Sequence, residues 1–199
     1  MHLLVTFVTN KCKDILGENN LAIKKIHHVA YRCKDAGETA AFYKTYLGME
    51  LLGAFAEERV PSTKAPDPYM HIFLDAGGGN ILAFFELPNA PAMDRDHNTP
   101  EWVQHFALEV DSMEDLLATK ARLEADGIEV VGPIDHALFQ SIYFHDPNKL
   151  RLELAVNTAT PEQQQRMRDV GALMLEDWSK TKIPPRHMSW THEREFNER

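Results

Sequence analysis

Cysteine is scarce in this chain and long apolar runs are missing. The 199 residues contain two cysteines, Cys12 and Cys33, whose spacing forms no CxxC pair. They could form one disulfide at most, and we interpret them as reduced thiols in a cytoplasmic protein. No apolar run approaches the roughly 20 residues of a membrane-spanning helix, so no membrane association is expected.

Positive charge is also in short supply. Lysine and arginine number 21 against 30 acidic residues, which gives a formal net charge of −9. General binding to nucleic acid or to anionic membranes needs clustered basic residues, so neither partner is expected. Histidine, in contrast, is abundant at ten residues. Because histidine is the commonest metal ligand and titrates near neutral pH, this count favours metal or proton-transfer chemistry.

The sequence contains an internal repeat, and His28 and His105 occupy matching places in it, 77 residues apart. Three pairs of segments align in the same order: 26–31 with 103–108, 48–53 with 127–132, and 83–87 with 150–154. Such ordered self-similarity indicates two copies of one structural unit. The third alignment pairs Glu86 with Glu153.

Each half predicts a strand, a helix and three further strands, which is an α+β class. The predicted strands of the first half lie near 24–33, 49–56, 69–75 and 80–87, and those of the second near 102–110, 128–132, 139–145 and 149–155. Gly48 and Gly127 are expected to end the helices, and Asp111 or Ser112 to begin the second. The proline-containing stretch Glu57–Pro68 reads as a long loop, either a lid or a solvated insertion.

These elements divide the chain into four parts. Residues 1–22 form an extension without an assigned role, 23–100 the first module and a linker, and 101–156 the second module. Residues 157–199 are expected to hold a helix that begins at Thr160-Pro161-Glu162, followed by a tail.

Two histidines and two glutamates recur at equivalent places. His28 and His105 lie in the first strand of each half, and Glu86 and Glu153 in the last. A glutamate within an apolar strand needs a partner, because an unpaired buried carboxylate costs several kcal/mol. Imidazole nitrogen and carboxylate oxygen suit a divalent transition metal, so the two imidazoles with one or two of the carboxylates are predicted to hold one.

At these residues the sequence resembles the vicinal oxygen chelate superfamily, which includes glyoxalase I, extradiol ring-cleaving dioxygenases, methylmalonyl-CoA epimerase and bleomycin or fosfomycin resistance proteins. The resemblance covers about residues 24–156. Its motifs are Ile26-His27-His28-Val29-Ala30, Phe42-Tyr43 before Leu47-Gly48-Met49, Gln104-His105-Phe106-Ala107, and Ile142 to Lys149 followed by Glu153. Lys149 replaces the glycine that usually ends the Asp-Pro turn. The resemblance implies paired βαβββ modules that form an open mixed-sheet barrel around a metal.

The resemblance also implies roles for particular residues. His28, His105 and Glu153 correspond to metal ligands, and Glu86 would be a fourth ligand only in a glyoxalase-type site. The stretch from His136 through Tyr143 to Glu153 resembles the extradiol pattern, in which His136 is the acid/base and Tyr143 bonds the substrate oxygen.

Strand alternation adds two candidate substrate-binding residues. Phe84 shares a face with Glu86 and is a candidate aromatic wall, with core packing as the alternative reading. Arg151 shares a face with Glu153 and is a candidate for gripping a substrate carboxylate, although it could equally turn outward or pair with Glu153.

The favoured function is an Fe(II)-dependent extradiol-type dioxygenase that acts on a small aromatic diol, in a homodimer. The alternatives are a glyoxalase-type isomerase or lyase using Ni(II), Zn(II), Co(II) or Mn(II), and a metal-independent resistance-type ligand-binding protein. The sequence leaves open whether the two modules pair within one chain or between chains.

Overall fold

The first repeat forms one four-stranded mixed sheet with a helix. The computed structural model describes residues 24–94 and 96–192. The elements of the first module are β1 (Val29–Cys33), α1 (Ala36–Leu47), β2 (Leu51–Arg59), β3 (Pro66–Asp75) and β4 (Ile81–Glu86). The strand order is β1-β4-β3-β2. Strand β1 pairs with β4 in parallel, and the other pairs are antiparallel.

The second repeat has the same topology. Its elements are β5 (Phe106–Glu109), α2 (Met113–Ala125), β6 (Val131–Asp135), β7 (Phe139–His145) and β8 (Arg151–Asn157). The order is β5-β8-β7-β6, again with one parallel pair. The predicted α+β fold of two βαβββ modules is therefore confirmed, as two separate sheets that do not close into a barrel.

Local capping chemistry explains where the two module helices begin and end. The Asp35 side chain accepts a hydrogen bond from the backbone N–H of Glu38 at the start of α1. Ser112, rather than Asp111, caps α2 by accepting from the backbone N–H of Asp115. Gly48 ends α1 in the left-handed conformation, with φ of 66°.

The predicted long loop at 57–68 is much shorter in the structure. Strand β2 continues to Arg59 and β3 begins at Pro66, so most of this stretch belongs to a β-hairpin. The backbone N–H of Val60 donates to the Ala65 carbonyl and closes the turn. The prolines indicated a long loop here, but proline is tolerated at the end of a strand or in an edge strand, so the prediction of a long loop was wrong.

The two modules share one hydrophobic core on the side of the sheets that faces the helices. Tyr43 of α1 packs against Phe84 of β4, with ring centroids 5.1 Å apart. The Tyr43 hydroxyl donates to the buried carboxylate of Asp146 in the second module, at 3.2 Å. Burial raises the pKa of both Tyr43 and Asp146. The same carboxylate accepts from the backbone N–H groups of Asn148 and Leu150, so Asp146 joins the β7–β8 turn to α1.

The C-terminal part forms a helical hairpin beside the second sheet. Helix α3 (Pro161–Thr181) begins with a capping box between Thr160 and Gln163, as the Thr-Pro-Glu sequence indicated. A 3₁₀ helix (Arg186–His192) follows, and the guanidinium of Arg166 lies over the Trp190 ring at 4.8 Å.

The structure also bears on the predictions for Cys33 and for membrane-spanning helices. Cys33 is buried, and burial raises the pKa of its thiol to about 11. No helix in the described part of the chain is long and apolar enough to cross a membrane. A cytoplasmic location stays a prediction. The extension 1–22, Cys12 and the tail from 193 onward lie outside the described residues.

The lysine that replaces glycine in the β7–β8 turn predicts a stabilising substitution. Lys149 has φ of 66°, a conformation that costs a residue with a Cβ roughly 1 kcal/mol. We expect Lys149→Gly to raise the free energy of unfolding by up to about 1 kcal/mol, as measured by urea denaturation. Lys149→Ala keeps the Cβ and is the matched control, because it should bring no comparable gain. Equal stabilisation by both variants would contradict the explanation.

Candidate metal centre

Each sheet has a core face and an open face, and the predicted ligands divide between them. Residues two apart along a strand share a face, and directly paired residues lie on the same side. Tyr143 pairs directly with Glu153, and Ser141 lies two residues before Tyr143 on the same side. These three side chains occupy the open face of the second sheet, opposite the core residues Ile142, Phe144 and Leu154.

A chain of short contacts centres on the Glu153 carboxylate, which is only 3% exposed. Its Oε2 lies 2.9 Å from Nε2 of His105. Its Oε1 accepts from the Ser141 hydroxyl at 2.5 Å and from the Tyr143 hydroxyl at 3.0 Å. Nε2 of His136 lies 2.8 Å from the Tyr143 hydroxyl. The structure therefore brings together four of the predicted site residues of the second module, namely His105, His136, Tyr143 and Glu153.

The direction of these hydrogen bonds can be worked out from donor capacity. The Tyr143 hydroxyl has one proton and donates it to Glu153, so it accepts from Nε2–H of His136. Nδ1 of His105 lies 3.1 Å from the Val103 carbonyl, which can only accept, so Nδ1 carries a proton. In neutral His105 the Nε2 atom then presents a lone pair to another acceptor, Oε2 of Glu153.

This contact between two acceptors fits a cation site. A proton or a metal ion must lie between Nε2 of His105 and Oε2 of Glu153, since two lone pairs repel. Ligand atoms bound about 2.1 Å from one ion at a right angle lie about 3.0 Å apart, close to the 2.9 Å observed. A backbone carbonyl that accepts from the second ring nitrogen is also the usual support of a metal-binding histidine. Nε2 of His105 and Oε2 of Glu153 are therefore a suitable pair of ligand atoms for a divalent metal.

Arg151 lies on the same open face and adds positive charge. Its guanidinium carbon is 4.4 Å from the centre of the Tyr143 ring, a cation–π contact. Burial and the hydrogen bond to Glu153 raise the pKa of Tyr143, so this hydroxyl keeps its proton at neutral pH. Arg151 neither pairs with Glu153 nor turns away from the site.

His28 lies on the open face of the first sheet. Its ring is 6.0 Å from that of Phe73, which pairs with Ala83 on that face. Nδ1 of His28 lies 2.8 Å from Nδ1 of His27, so the two neighbouring imidazoles share a proton. His27 thus contacts His28 directly.

Glu86 and Phe84 lie on the opposite side of the first sheet from His28. Oε2 of Glu86 accepts from the backbone N–H of Ala36 at 2.7 Å, so this carboxylate serves the first turn of α1. Phe84 is fully buried between Tyr31 and Tyr43. The proposed roles of Glu86 beside His28 and of Phe84 as a substrate wall are corrected by this placement, since both side chains belong to the core face.

Strand register explains why the repeat alignment misplaced Glu86. Ala107, two residues after His105, pairs with Glu153. The equivalent Ala30, two residues after His28, pairs with Ala83. Ala83 therefore occupies the place of Glu153, three residues before Glu86, and the open face of the first sheet has no carboxylate there.

Two residues of the open faces were missed in the sequence. Ser141 is fully buried beside Glu153, and only its position two residues before Tyr143 could have identified it. His71 of β3 stacks on Phe85 at 3.5 Å and has a buried Nε2 without a hydrogen-bond partner. Burial and the charge of His28 lower the pKa of His71, so its imidazole is neutral at neutral pH.

The structure does not bring the two half-sites together within one chain. Among residues 24–94 and 96–192, no three side chains of the metal-binding types form a group that could hold an ion. His105 and Glu153 supply two donors on the second sheet, and His28 stays with the first. Exposed apolar side chains border both open faces, namely Phe55 on the first and Val131 and Ile134 on the second.

The family model of the Glyoxalase/Bleomycin resistance protein/Dioxygenase superfamily matches residues 25–154. The chain belongs to this superfamily. The match spans both modules, and it confirms the resemblance drawn from the histidine and Asp-Pro motifs. Members of this superfamily generally use divalent metals and bind small-molecule substrates or ligands, and they include enzymes such as lactoylglutathione lyase.

Similarity to individual members is modest and covers the two modules. The uncharacterized protein YwkD of Bacillus subtilis is 28% identical over 140 residues, which are 67% of this chain and 98% of that protein. A probable chloroplastic lactoylglutathione lyase of Arabidopsis thaliana is 28% identical over 142 residues, which are 70% of this chain but only 37% of that protein.

Solved structures agree on the fold. A glyoxalase family protein from Enterococcus faecalis has a TM-score of 0.50 at 27% identity, covering 67% of this chain and 98% of that one. A glyoxalase/bleomycin resistance protein/dioxygenase domain from Frankia has a TM-score of 0.56 at 19% identity, covering 72% and 99% of the two chains.

The geometry predicts which glutamate affects metal binding. We expect Glu153→Gln to lose most of the affinity for Co(II), because it removes the charge beside His105, whereas Glu86→Gln should bind Co(II) like the parent. Calorimetric titration measures both. Glu86→Gln is the matched control, since it makes the same substitution on the core face of the first sheet. Loss of affinity in Glu86→Gln alone would contradict this assignment.

Proposed function

We propose that this protein is a metal-dependent oxygenase of the extradiol type that opens the ring of a small aromatic diol with O₂. The proposal is carried by the hydrogen-bonded chain from His136 through Tyr143 to Glu153, beside His105. This constellation combines a metal-binding pair with a proton-carrying pair on one face of one sheet. The ligand set would be His28, His105 and Glu153, with Fe(II) as the favoured metal.

Two histidines and one carboxylate suit this chemistry because they leave coordination positions open. When bound, Fe(II) would supply the binding of both diol oxygens and of O₂. A diol hydroxyl must lose a proton on binding, and the ring-opening sequence must return one. His136 is suited to exchange that proton, since its Nε2 already contacts Tyr143.

Arg151 and Tyr143 would support a deprotonated substrate. The guanidinium over the Tyr143 ring adds a positive charge that stabilises an anionic diol. The Tyr143 hydroxyl keeps its proton and is available as a donor to a substrate oxygen once its bond to Glu153 is exchanged. On the open face of the first sheet, Phe73, Phe85 and His71 offer aromatic surface to a planar ring.

We further propose that the third ligand, His28, comes from a second copy of the chain in a homodimer. The support is twofold: the described chain contains no group of three potential ligands, and both open faces carry exposed apolar side chains. Placing the first sheet of one copy against the second sheet of its partner would cover these side chains and form two equivalent sites.

A glyoxalase-type isomerase or lyase is the second candidate, favoured by the similarity to the probable lactoylglutathione lyase of Arabidopsis thaliana. Such a site needs a second carboxylate near the metal to abstract a carbon-bound proton. Ala83 stands where the strand register would put it, and Glu86 bonds to α1 instead. These placements favour the oxygenase over the lyase.

The activity test is oxygen uptake. Anaerobically Fe(II)-loaded protein mixed with a panel of catechols should consume O₂ and form yellow ring-opened products, measured by an oxygen electrode and absorbance. His136→Ala should lower kcat about 100-fold or more, whereas His97→Ala, an exposed histidine paired with Asp94, should leave it unchanged.

Two other results of this test would each favour a different function. Turnover of a glutathione hemithioacetal by Ni(II)- or Zn(II)-loaded protein, without O₂ uptake, would favour the lyase. Failure to take up any metal would favour a metal-independent binding protein.

Mixed dimers test the shared site. His28→Ala and Glu153→Gln should each abolish activity alone, because each damages both sites of its own dimer. Refolding an equal mixture should restore about a quarter of the parental activity, since half of the dimers then contain one intact site. No recovery would contradict sharing between chains and would favour pairing of the modules within one chain.

A further inference from the structure

Oε1 of Glu153 accepts hydrogen bonds from two hydroxyl groups. Ser141 donates to Oε1 at 2.5 Å and Tyr143 donates to the same atom at 3.0 Å. A carboxylate oxygen has two lone-pair positions, so two donors fill it. Oε2 accepts from neither hydroxyl and lies 2.9 Å from Nε2 of His105.

The backbone fixes both donors. Tyr143 of β7 pairs directly with Glu153 of β8. Ser141 pairs with Ala155, which is the next residue of β8 on the same face as Glu153. Strand β7 lies between β6 and β8, so its register is held from both sides. Ser141 is fully buried, and its hydroxyl would pay a desolvation cost if it lost Glu153 as acceptor.

We propose that Ser141 is a positioning residue which, together with Tyr143, makes Glu153 a single-oxygen ligand. With Oε1 occupied, only Oε2 is offered beside His105. A carboxylate that binds through one oxygen occupies one coordination position instead of two. The remaining positions stay available for two substrate oxygens and O₂, which is the requirement of the proposed ring-opening reaction. This inference rests on the proposed metal site and assigns Ser141 a role within it.

The Tyr143 hydroxyl is hydrogen-bonded to two partners. In the structure its only proton goes to Oε1, and His136 donates to its oxygen. Ser141 is thus the donor that can hold Glu153 when a substrate oxygen engages Tyr143. A serine hydroxyl at this position keeps one hydrogen bond to Oε1 in both arrangements.

The decisive measurement is Co(II) binding by the full-length protein. Ser141→Ala should weaken Co(II) affinity about 10- to 100-fold, the usual effect of removing a group that supports a metal ligand. The absorption spectrum of the Co(II) protein should also change, because freeing Oε1 allows binding through both oxygens and raises the coordination number. Ser141→Thr restores a hydroxyl and should recover both the affinity and the spectrum.

Thr39→Val is the matched control. Thr39 is also fully buried and its hydroxyl is hydrogen-bonded, to the Asp35 carbonyl, but it contacts neither Glu153 nor His105. It should lower stability, measured by thermal unfolding, without changing Co(II) affinity. If Ser141→Ala does not fold, Tyr143→Phe removes the other donor to Oε1 and should also weaken Co(II) binding.

The outcomes separate this inference from the proposed function. Parental affinity and an unchanged Co(II) spectrum in Ser141→Ala would overturn the role of Ser141 and leave the metal site standing. Equal loss in Thr39→Val would overturn it as well, because the effect would then be general destabilisation. A parent protein that takes up no Co(II) would overturn the proposed function, and the inference with it.

Discussion

The constraint on which the site depends is the charge of Glu153, a buried carboxylate within an apolar strand. A buried charge is tolerated only when hydrogen bonds or an opposite charge replace its hydration. At Glu153 the hydroxyls of Ser141 and Tyr143 and the imidazole of His105 take the place of water. Because Tyr143 is in turn bonded to His136, one carboxylate organises the cluster of His105, Ser141, Tyr143 and His136 on the open face of the second sheet. The same demand for an opposite charge makes this face suitable for a cation.

The two sides of each sheet have separate tasks. The core face holds Tyr43, Phe84 and Phe144 and is closed by the bond between Tyr43 and Asp146, which fastens the second module to the helix of the first. The open face holds the histidines and Glu153. Stability and the proposed chemistry thus depend on different side chains of the same strands, since alternation sends neighbouring residues in opposite directions. An alignment of the two repeats that is shifted by one or three residues therefore assigns a side chain to the wrong face of the sheet.

The modules are alike in backbone and unlike in chemistry. The second has Glu153, Ser141 and Tyr143 around one imidazole, whereas the first has Ala83 at the place of the carboxylate and a surface of Phe73, Phe85 and His71. This division favours a site in which the second module supplies most of the polar machinery, while the first supplies one imidazole and aromatic surface. It also distinguishes the proposed two-histidine, one-carboxylate site from one with two carboxylates.

The sequence by itself determined the doubled βαβββ fold, the superfamily, and the cluster of His105, Glu153, His136 and Tyr143, because ordered repeats and closely spaced motifs are local signals. It also located Arg151 on the correct face through simple alternation. Only the tertiary structure decided the place of Glu86 and Phe84, since strand register, which the spacing of an imperfect repeat leaves undetermined, equates Ala83 with Glu153. The partners of a side chain were likewise decided in three dimensions. Ser141 carries no motif, and its contact with Glu153 is visible only as the distance of one hydroxyl to one carboxylate oxygen.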